Sequence, residues 1–450
     1  MLESTEMTTI RLRRSILWLF FLSAISVRVS HGQPYEYVCQ YESLGKGSSV
    51  FRLNLQTGLK ELLLPDEGRL GAVFVSSDGQ LLFLTRRSEV EVVNALNPSL
   101  PRKSIALDLY NSNRDVNELI DGRLSNRIYL AIGESIDMRD MWLVLDRSSI
   151  IPIDTIFNFQ GPGSCFLSRD ESVIYGLQAD TLASRVEFVG LSTHGRTEVS
   201  REDFSKMGYP SDSKSYLGGA NGKAVIAYDD PVFVPRWTNQ RYFVYDVASK
   251  VATKPIPVTF RSEAQVSLDG NYLIVEKVNF DKTRRTAEYR PGLVLVFHLA
   301  TGQLKQRLQL PPEGRVMQYP DFPNMFFYYS EEQARSVVLK LSEVTAAQTL
   351  LDTLISQIKA AGTAGWLSDQ SFIIEIERDL QRARQMLSAG DSLGCAKGVK
   401  SFQGKIDFAY KGSLGPDEHK VTIDGWKSLH YDAQYILDRL PAIPPGSDSK

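Results

Sequence analysis

A short turn signal recurs along most of the chain, and its spacing constrains the fold more than any other sequence feature. Each turn lies between two apolar segments, and six are present: Ser76-Ser77-Asp78-Gly79, Ser125-Asn126, Ser168-Arg169-Asp170, Ala220-Asn221-Gly222, Ser267-Leu268-Asp269-Gly270 and Tyr319-Pro320-Asp321. The Asp or Asn positions follow one another at intervals of 44 to 52 residues. This interval is the length of one four-stranded β-propeller blade, and it predicts a repeat of that size.

Strand-like segments accompany these turns in a fixed order. A β-rich run follows each turn, at residues 81–84, 128–132, 173–176, 224–228, 272–275 and 325–329. A third strand comes next, and seven are present, at residues 50–55, 90–93, 142–145, 186–189, 242–245, 293–297 and 337–341. We therefore expect an all-β propeller of seven blades over residues 33–343, in a ring closed by strands from both chain ends. Six or eight blades are the alternatives.

The apolar pattern changes to helical spacing after Val344. Four segments each carry one stripe at steps of three and four, at residues 347–361, 373–387, 395–409 and 426–440. Four such stripes make one bundle core, so we expect a small all-α module over residues 344–441. Ser368 is expected to cap the second helix and Gly390 to end it. The Pro/Ser/Asp-rich tail 442–450 is predicted to be disordered.

The first 32 residues have the composition of a secretory signal peptide. Arg11, Arg13 and Arg14 precede an apolar run over residues 16–25, and the small residue Gly32 marks a cleavage site before Gln33. The alternative is an uncleaved membrane anchor, for which the apolar run is short. We expect cleavage, a secreted, periplasmic or cell-surface protein, and no transmembrane span in the mature chain.

Composition narrows the classes of partner. Lys and Arg number 51 and Asp and Glu 53, which gives a net charge of −2 and no electrostatic case for nucleic acid or an anionic membrane. Cys39, Cys165 and Cys395 are too scattered for a disulfide framework or a zinc site. Buried thiols are expected, although one disulfide stays possible. No P-loop or Rossmann fingerprint occurs, and no cofactor or metal is expected.

Two parts of the chain resemble known families. The Ser-x-Asp-Gly turns, and third strands that end in x-Thr-Gly, resemble bacterial propellers of the YVTN and WD40-like kind over residues 35–344. Residues 345–440 resemble the helical FIMAH-type module of secreted bacterial proteins. That likeness is carried by Gly365-Trp366, Leu380, Ala383, Leu387, Ala389-Gly390, Cys395-Ala396 and Phe402, whereas the segment 410–423 is longer than in that module. The resemblance implies an accessory interaction module without catalysis.

Two long loops, between the second and third strands of their units, are the candidate binding surface. Loops of this kind open on one face of a propeller, and long loops on a rigid scaffold commonly carry binding sites. The candidate residues are Asp229, Asp230, Arg236 and Trp237 in one loop and Arg284, Arg285, Tyr289 and Arg290 in the other. The two aromatic residues could stack on a sugar or hold a peptide side chain, while the arginines could bind carboxylate or phosphate groups. A solvated charge cluster is the alternative interpretation.

An enzyme would need an acid and a base on that face. None of the five histidines is well placed, so catalysis would depend on the carboxylates of Asp229, Asp230, Glu134, Asp137, Asp140, Glu276 and Glu288. Mixed charges on a rim more often form surface ion pairs. We expect a binding protein for a protein or polysaccharide partner, and no catalytic residue is assigned. An extracellular glycosidase, lyase or lactonase that uses rim carboxylates is the alternative.

Overall fold

A computed structural model gives the fold of the chain. It describes residues 35–41, 47–107, 115–133, 139–160, 165–180, 185–207, 214–229, 240–280, 288–318, 322–330, 335–412 and 421–444, apart from residues 56, 58, 69, 77, 87, 88, 196, 259 and 261. The predicted signal peptide 1–32 and most of the tail 442–450 lie outside these residues. Two compact units can be distinguished. One contains the described residues up to Glu202 with Val316–Tyr329 and Ala334–Val338, and the other contains the rest.

The first unit is built from antiparallel strands. The first sheet contains β1 (Tyr35–Tyr41), β2 (Ser48–Asn54) and β3 (Lys60–Leu64), and the second contains β4 (Val73–Val75), β5 (Leu81–Thr85), β6 (Glu89–Asn94) and β7 (Lys103–Ala106). The third sheet has eight strands: β8 (Asp115–Gly122), β9 (Arg127–Gly133), β10 (Arg139–Asp146), β11 (Ile151–Gln160), β12 (Cys165–Leu167), β13 (Val173–Asp180), β14 (Arg185–Ser192) and β15 (Glu198–Asp203). Most of one further sheet belongs to the same unit: β27 (Gly314–Met317), β28 (Met325–Ser330) and β29 (Arg335–Lys340).

The second unit combines strands with all four helices of the described chain. A short 3-10 helix over Phe204–Lys206 precedes its sheets. One sheet has five strands: β16 (Lys214–Ala220), β17 (Lys223–Asp229), β18 (Gln240–Asp246), β19 (Val251–Ala252) and β20 (Ile256–Val258). A second sheet has four strands: β21 (Ser262–Val266), β22 (Tyr272–Lys277), β25 (Leu293–His298) and β26 (Leu304–Gln309). The strands β23 (Asn279–Phe280) and β24 (Glu288–Tyr289) form a small hairpin. The helices are α1 (Ala347–Thr363), α2 (Gln370–Ser388), α3 (Ser392–Gly412) and α4 (Ile423–Leu437).

The protein is a β-propeller with six blades among the described residues, so the expectation of seven was wrong. The reason lies in the third and fourth sequence units. Phe159 of β11 pairs with Gln178 of β13, which joins these two units into one eight-stranded sheet. The repeat of 44 to 52 residues is present in the structure, but the pairing of β11 with β13 joins its third and fourth units into one sheet.

The first and last sheets of the propeller contact each other through apolar side chains. The first sheet consists of β1–β3 and the last of β27–β29, and the described strands of the two chain ends do not share a sheet. Leu53 of β2 and the adjacent Leu55 form a buried cluster with Phe327 of the last sheet. The first and last sheets are each three-stranded, and among the described strands the expected closing sheet with strands from both ends is not found.

The predicted turns form as hydrogen-bonded units. At the first of them the Ser76 hydroxyl donates to the Asp78 carboxylate over 2.6 Å, and the Leu81 amide donates to the Ser76 hydroxyl oxygen over 2.9 Å. The same pattern recurs at Ser168 with Asp170 and at Ser267 with Asp269. These three aspartates therefore act as turn formers, the role expected of them.

The helices bury the predicted stripes, and their apolar core is continuous with that of two sheets. Leu354, Leu380, Phe402 and Leu429, one from each helix, are fully buried in a cluster that also contains residues of β17, β18, β22 and β25. The cap of α2 differs from the expectation. Asp369, and not Ser368, is the N-cap, because its carboxylate accepts from the amides of Ser371 and Phe372. The end of α2 before Gly390, whose φ is +84°, was predicted correctly.

One arginine ties the end of α4 to the propeller strands of its unit. The Arg439 guanidinium donates to four backbone carbonyls, those of Leu304, Lys305, Thr345 and Tyr435, over 2.6 to 2.9 Å. Burial lowers the pKa of Arg439 from its ordinary value. The helices are thus fixed to β26 by hydrogen bonds as well as by the common core.

Two of the three cysteines are free buried thiols, Cys165 in β12 and Cys395 in α3. This agrees with the expectation for these two residues, while the side chain of Cys39 lies outside the described part. Within the described residues, we find no helix with the length and apolarity that a membrane span requires.

Candidate functional site

The structure describes only part of the predicted loop face. Asp229 is the last residue of β17 and pairs with Gln240, and Tyr289 ends β24 opposite Asn279. Arg290 follows Tyr289, and its side chain is described. Five candidate residues lie outside the described residues: Asp230, Arg236, Trp237, Arg284 and Arg285.

The candidate carboxylates divide in the same way. Asp140 lies in β10 opposite Phe159, and Glu288 lies in β24 opposite Phe280. Glu134 and Asp137 are outside the described residues. Glu276, near the end of β22, has a described side chain that is almost fully buried. Glu276 and Arg290 are therefore the members of the predicted face whose side-chain contacts the structure describes.

Arg290 joins two carboxylates that face each other across a strand pair. Glu263 of β21 and Glu276 of β22 are direct cross-strand partners. The Arg290 Nη2 atom lies 2.7 Å from Glu263 Oε2, and its Nη1 atom lies 3.3 Å from Glu276 Oε2. Like charges at such positions destabilise a sheet, and a guanidinium between them reverses that effect. We call these three residues the Arg290 cluster.

The accessibility of the Arg290 cluster is uneven. The side chains of Arg290 and Glu276 are 11% and 10% exposed, while that of Glu263 is 55% exposed. A ligand could therefore reach Glu263 more easily than Glu276. The ion pairs explain why Arg290 and Glu276 are buried at a strand end without invoking a bound molecule.

Sequence reasoning missed Glu263, although the signal was present. The turn at Ser267–Gly270 closes a hairpin in which the Ser267 amide donates to the Tyr272 carbonyl over 2.9 Å. Counting outward from that turn by equal steps brings Glu263 opposite Glu276. The hairpin register alone could thus have placed the two carboxylates side by side.

A second charged group lies where α4 meets the strands of the same unit. Arg307 of β26 pairs with Asp432 of α4 at 3.3 Å, and both side chains are almost buried, at 12% and 13% exposed. Burial raises the pKa of Asp432, while Arg307, a hydrogen bond from Gln357 and the charge of Lys277 act in the opposite direction. Burial also lowers the pKa of Lys277, and the nearby positive charge of Arg307 lowers it further. These residues place a paired charge within the contact between α4 and β26.

The strands of the second unit also border an open cleft of about 460 Å³. Turn residues line it, including Asp246, Lys254, Asn271, His298 and Thr301. Two of its charged groups have protein partners. Asp246 accepts from the Ser249 amide over 2.9 Å, and Lys223 donates to the Gly270 carbonyl over 2.6 Å. Among the described residues, no group of three or more His, Cys, Asp or Glu side chains is placed to hold a metal ion.

Comparison with known proteins does not assign the chain to a family. No protein-family model matches the chain, and no curated protein matches it. Similar solved structures include a hydrazine synthase of Kuenenia stuttgartiensis, at 11% identity and a TM-score of 0.47 over 65% of this chain and 89% of that chain. The WD40 domain of Toxoplasma gondii coronin is similar at 9% identity and a TM-score of 0.43, over 67% and 77% of the two chains. An oligogalacturonate lyase in complex with manganese is similar at 10% identity and a TM-score of 0.42, over 68% and 95%. With TM-scores and identities this low, these likenesses do not indicate what the chain binds.

Proposed function

We propose that the chain is an exported recognition protein whose propeller binds a protein or polysaccharide partner. The partner would lie on the loops that carry Asp229, Asp230, Arg236, Trp237, Arg284, Arg285, Tyr289 and Arg290. The C-terminal helices, whose sequence resembles the FIMAH-type module, would add a second contact. The signal peptide 1–32 would be removed on export, which leaves a chain from Gln33.

The observation that favours binding over catalysis is the Arg290 cluster. Glu276 was a candidate for acid–base chemistry, and its carboxylate is paired with Arg290. Catalytic acids and bases must be free to exchange a proton with a substrate, which a buried ion pair opposes. The same pair fixes Arg290 directly after β24, at the base of the loop that carries Arg284 and Arg285, where it would hold that loop in position for a ligand.

Glu263, the exposed member of the Arg290 cluster, suggests how a partner would be bound. Glu263 is more than half exposed and belongs to the same strand end as Glu276. A carboxylate at that position could accept hydrogen bonds from sugar hydroxyls or from a basic peptide side chain. Trp237 and Tyr289 would supply the apolar contact that such ligands also need.

A capture experiment tests this function. The chain from Gln33 to Lys450 is immobilised and exposed to cell-wall polysaccharides, soluble glycans and secreted proteins of the source organism. We expect one class to bind, and we expect the Trp237→Ala/Tyr289→Ala variant to bind it at least about tenfold more weakly, since aromatic contacts dominate such interfaces. Leu124→Ala is the matched control, because Leu124 is a 73% exposed apolar residue of a turn that is not a candidate. Equal loss of binding in the control and the double variant would contradict the assignment of the loops.

The enzyme alternative remains open for the other carboxylates. A propeller glycosidase, lyase or lactonase would use Asp229 or Asp230 with a second carboxylate as the acid–base pair. Asp229→Asn and Asp230→Asn separate the two functions. In a recognition protein they change affinity alone, whereas in an enzyme they abolish product formation and leave affinity largely intact.

A further inference from the structure

The open cleft of about 460 Å³ lies at the opposite end of the strands from the candidate loops. The strand β17 begins at Lys223, which lines the cleft, and ends at Asp229, which belongs to a candidate loop. Six residue steps along a strand correspond to about 20 Å. The sheet of β16–β20 and the sheet of β21, β22, β25 and β26 both contribute to the lining, and both belong to the second unit. A ligand bound there would therefore occupy a site distinct from the loop face.

Hydrogen bonds and close packing hold the walls of this cleft in place. The Lys223 ammonium donates to the Gly270 carbonyl over 2.6 Å, which joins one sheet to a turn of the other. A Cβ atom built on Gly270 would lie 2.5 Å from Asn221 Nδ2, so the turns of the two sheets are in close contact. Within one wall, the Val244 amide donates to the Thr253 hydroxyl oxygen over 3.0 Å. The cleft is therefore preformed, as small-molecule sites usually are.

Three side chains of the lining have polar atoms that can bond a ligand. Lys254 is exposed and forms no hydrogen bond or ion pair with a residue that the structure describes. Asp246 accepts from the Ser249 amide through Oδ1 over 2.9 Å, so its Oδ2 atom can accept from another donor. The side-chain amide of Asn271 donates to Asp269 over 3.1 Å, and its Oδ1 atom is an additional acceptor. The cleft thus presents an ammonium donor and two oxygen acceptors.

His298 adds a fourth polar group, and its ring is held by its neighbours. The ring meets that of Tyr272 edge-on, with the centroids 5.6 Å apart, and its Nδ1 atom lies 3.3 Å from the Thr301 hydroxyl. That hydroxyl oxygen accepts from the Gln303 amide over 3.3 Å, so its own proton can be donated to His298 Nδ1. When Nδ1 of a neutral imidazole accepts, Nε2 carries the proton. His298 therefore supplies a second donor to the cleft.

The lining favours an anion that also carries hydroxyl groups. It contains two lysines and one carboxylate, so a negatively charged ligand is preferred over a positively charged one. Hydroxyl groups can donate to Asp246 and Asn271 and accept from His298. Apolar side chains, among them Val251 and Leu299, complete the lining and suit the C–H groups of a sugar ring. A sugar that bears a carboxylate has all of these features.

We propose that this cleft binds a sugar acid, with the carboxylate of the ligand on Lys254 and its hydroxyl groups on Asp246 and His298. The ligand is a free monosaccharide or a uronic acid residue at the end of a polysaccharide chain, since both present the same groups. A volume of about 460 Å³ is within the range of small-molecule sites, roughly 300 to 1,000 Å³. Because the site is separate from the candidate loops, it does not depend on the proposed function.

Calorimetric titration of the chain from Gln33 to Lys450 with D-glucuronate tests this proposal, and D-glucose is the neutral analogue. We expect a dissociation constant on the order of 1 mM for D-glucuronate. D-glucose should bind at least about tenfold more weakly, because it lacks the carboxylate that forms the charged hydrogen bond. A disaccharide of D-glucuronate separates the two sources of the ligand. Tighter binding of the disaccharide would indicate a polysaccharide end, and equal or weaker binding a free sugar acid.

Substitutions at exposed positions assign the binding to the cleft. Lys254→Met removes the ammonium group and should weaken D-glucuronate binding at least about tenfold, which removes the preference over D-glucose. Val251→Trp fills the cleft and should weaken binding of both sugars, and because Val251 is 60% exposed the melting temperature should not fall. Lys397→Met is the matched control, since Lys397 is an exposed lysine of α3 that does not line the cleft. It should leave D-glucuronate binding unchanged.

Two results would overturn the proposal. One is the absence of D-glucuronate binding at concentrations up to about 20 mM. The other is binding that neither Lys254→Met nor Val251→Trp weakens, which would place the ligand outside the cleft.

Discussion

At the scale of single residues, the Arg290 cluster shows how a local rule decides the chemistry of a candidate site. Glu263 and Glu276 are direct neighbours across two strands, and Arg290 pairs with both. The sequence made Arg290 a candidate for ligand binding, and the structure adds a scaffold role for the same side chain. Its guanidinium would act on a partner through the position it gives to the neighbouring loop.

Removing Arg290 should therefore destabilise the protein. Arg290→Ala leaves two carboxylates opposite each other, one of them buried, and should lower the free energy of unfolding by about 2–4 kcal/mol. Adding Glu276→Gln to this variant removes one of the two charges and should recover part of the loss. Urea denaturation followed by circular dichroism measures both effects. An Arg290→Ala variant as stable as wild type would show that the ion pairs are not formed in solution.

The thiol of Cys395 gives a residue-scale test of the helical core. Burial in α3, with a smaller contribution from the charge of Asp391, raises the pKa of Cys395 to about 11. The reactive thiolate is therefore scarce near neutral pH, and the sulfur is fully buried. Alkylation with iodoacetamide at pH 8, read by peptide mass spectrometry, should label Cys395 only after unfolding. Rapid labelling of the native protein would contradict the packing of α3.

At the scale of elements, the contact between α4 and β26 contains a pair of opposite charges that the helical pattern could not indicate. Asp432 and Arg307 are far apart in the sequence and pair across the contact between α4 and β26. A buried charge left without its partner is costly, whereas replacing both partners by apolar residues is often neutral. The pair therefore allows a clean double-mutant comparison.

We expect Asp432→Asn to destabilise the protein by about 3 kcal/mol, and Arg307→Met/Asp432→Leu to stay within about 1 kcal/mol of wild type.

The variant Asp432→Asn should also have a distinct pH dependence of stability. The pKa of Lys277 is already below its ordinary value of 10.5 because of burial and Arg307, and removing Asp432 lowers it further. The unfolded chain then binds more protons than the folded one between the lowered pKa of Lys277 and its ordinary value of 10.5, so stability should rise with pH more steeply in the variant than in the wild type within that window. Thermal melts of both proteins across this pH range measure the effect, and equal slopes would contradict it.

At the scale of the whole molecule, the repeat of turns predicted the fold class well and the blade count poorly. The Ser–Asp turns are local, since Ser76 and Asp78 bond within a few residues, and local chemistry can be read from sequence. The pairing of Phe159 with Gln178 depends on how two units approach, and no turn or period encodes it. Four helical stripes were likewise readable, but not the core that they share with the strands.

The candidate site was predictable to the same degree and for the same reason. Long loops after predicted strands could be proposed from the sequence, and Glu276 and Arg290 were both among the candidates. Their bond to each other and to Glu263 required the register of β21 and β22 and the course of the chain through the β23–β24 hairpin. Asp432 was missed because it acts across a tertiary contact.

The claim that this propeller recognises a partner without transforming it is tested most directly by measuring affinity and product in one sample. The chain from Gln33 is mixed with the ligand that it captures, and calorimetry is followed by mass spectrometry of the recovered ligand. We predict binding that Trp237→Ala/Tyr289→Ala weakens at least about tenfold, with an unchanged ligand. Cleavage of the ligand by the wild type, lost in Asp229→Asn or Asp230→Asn while affinity persists, would contradict the claim and establish an enzyme.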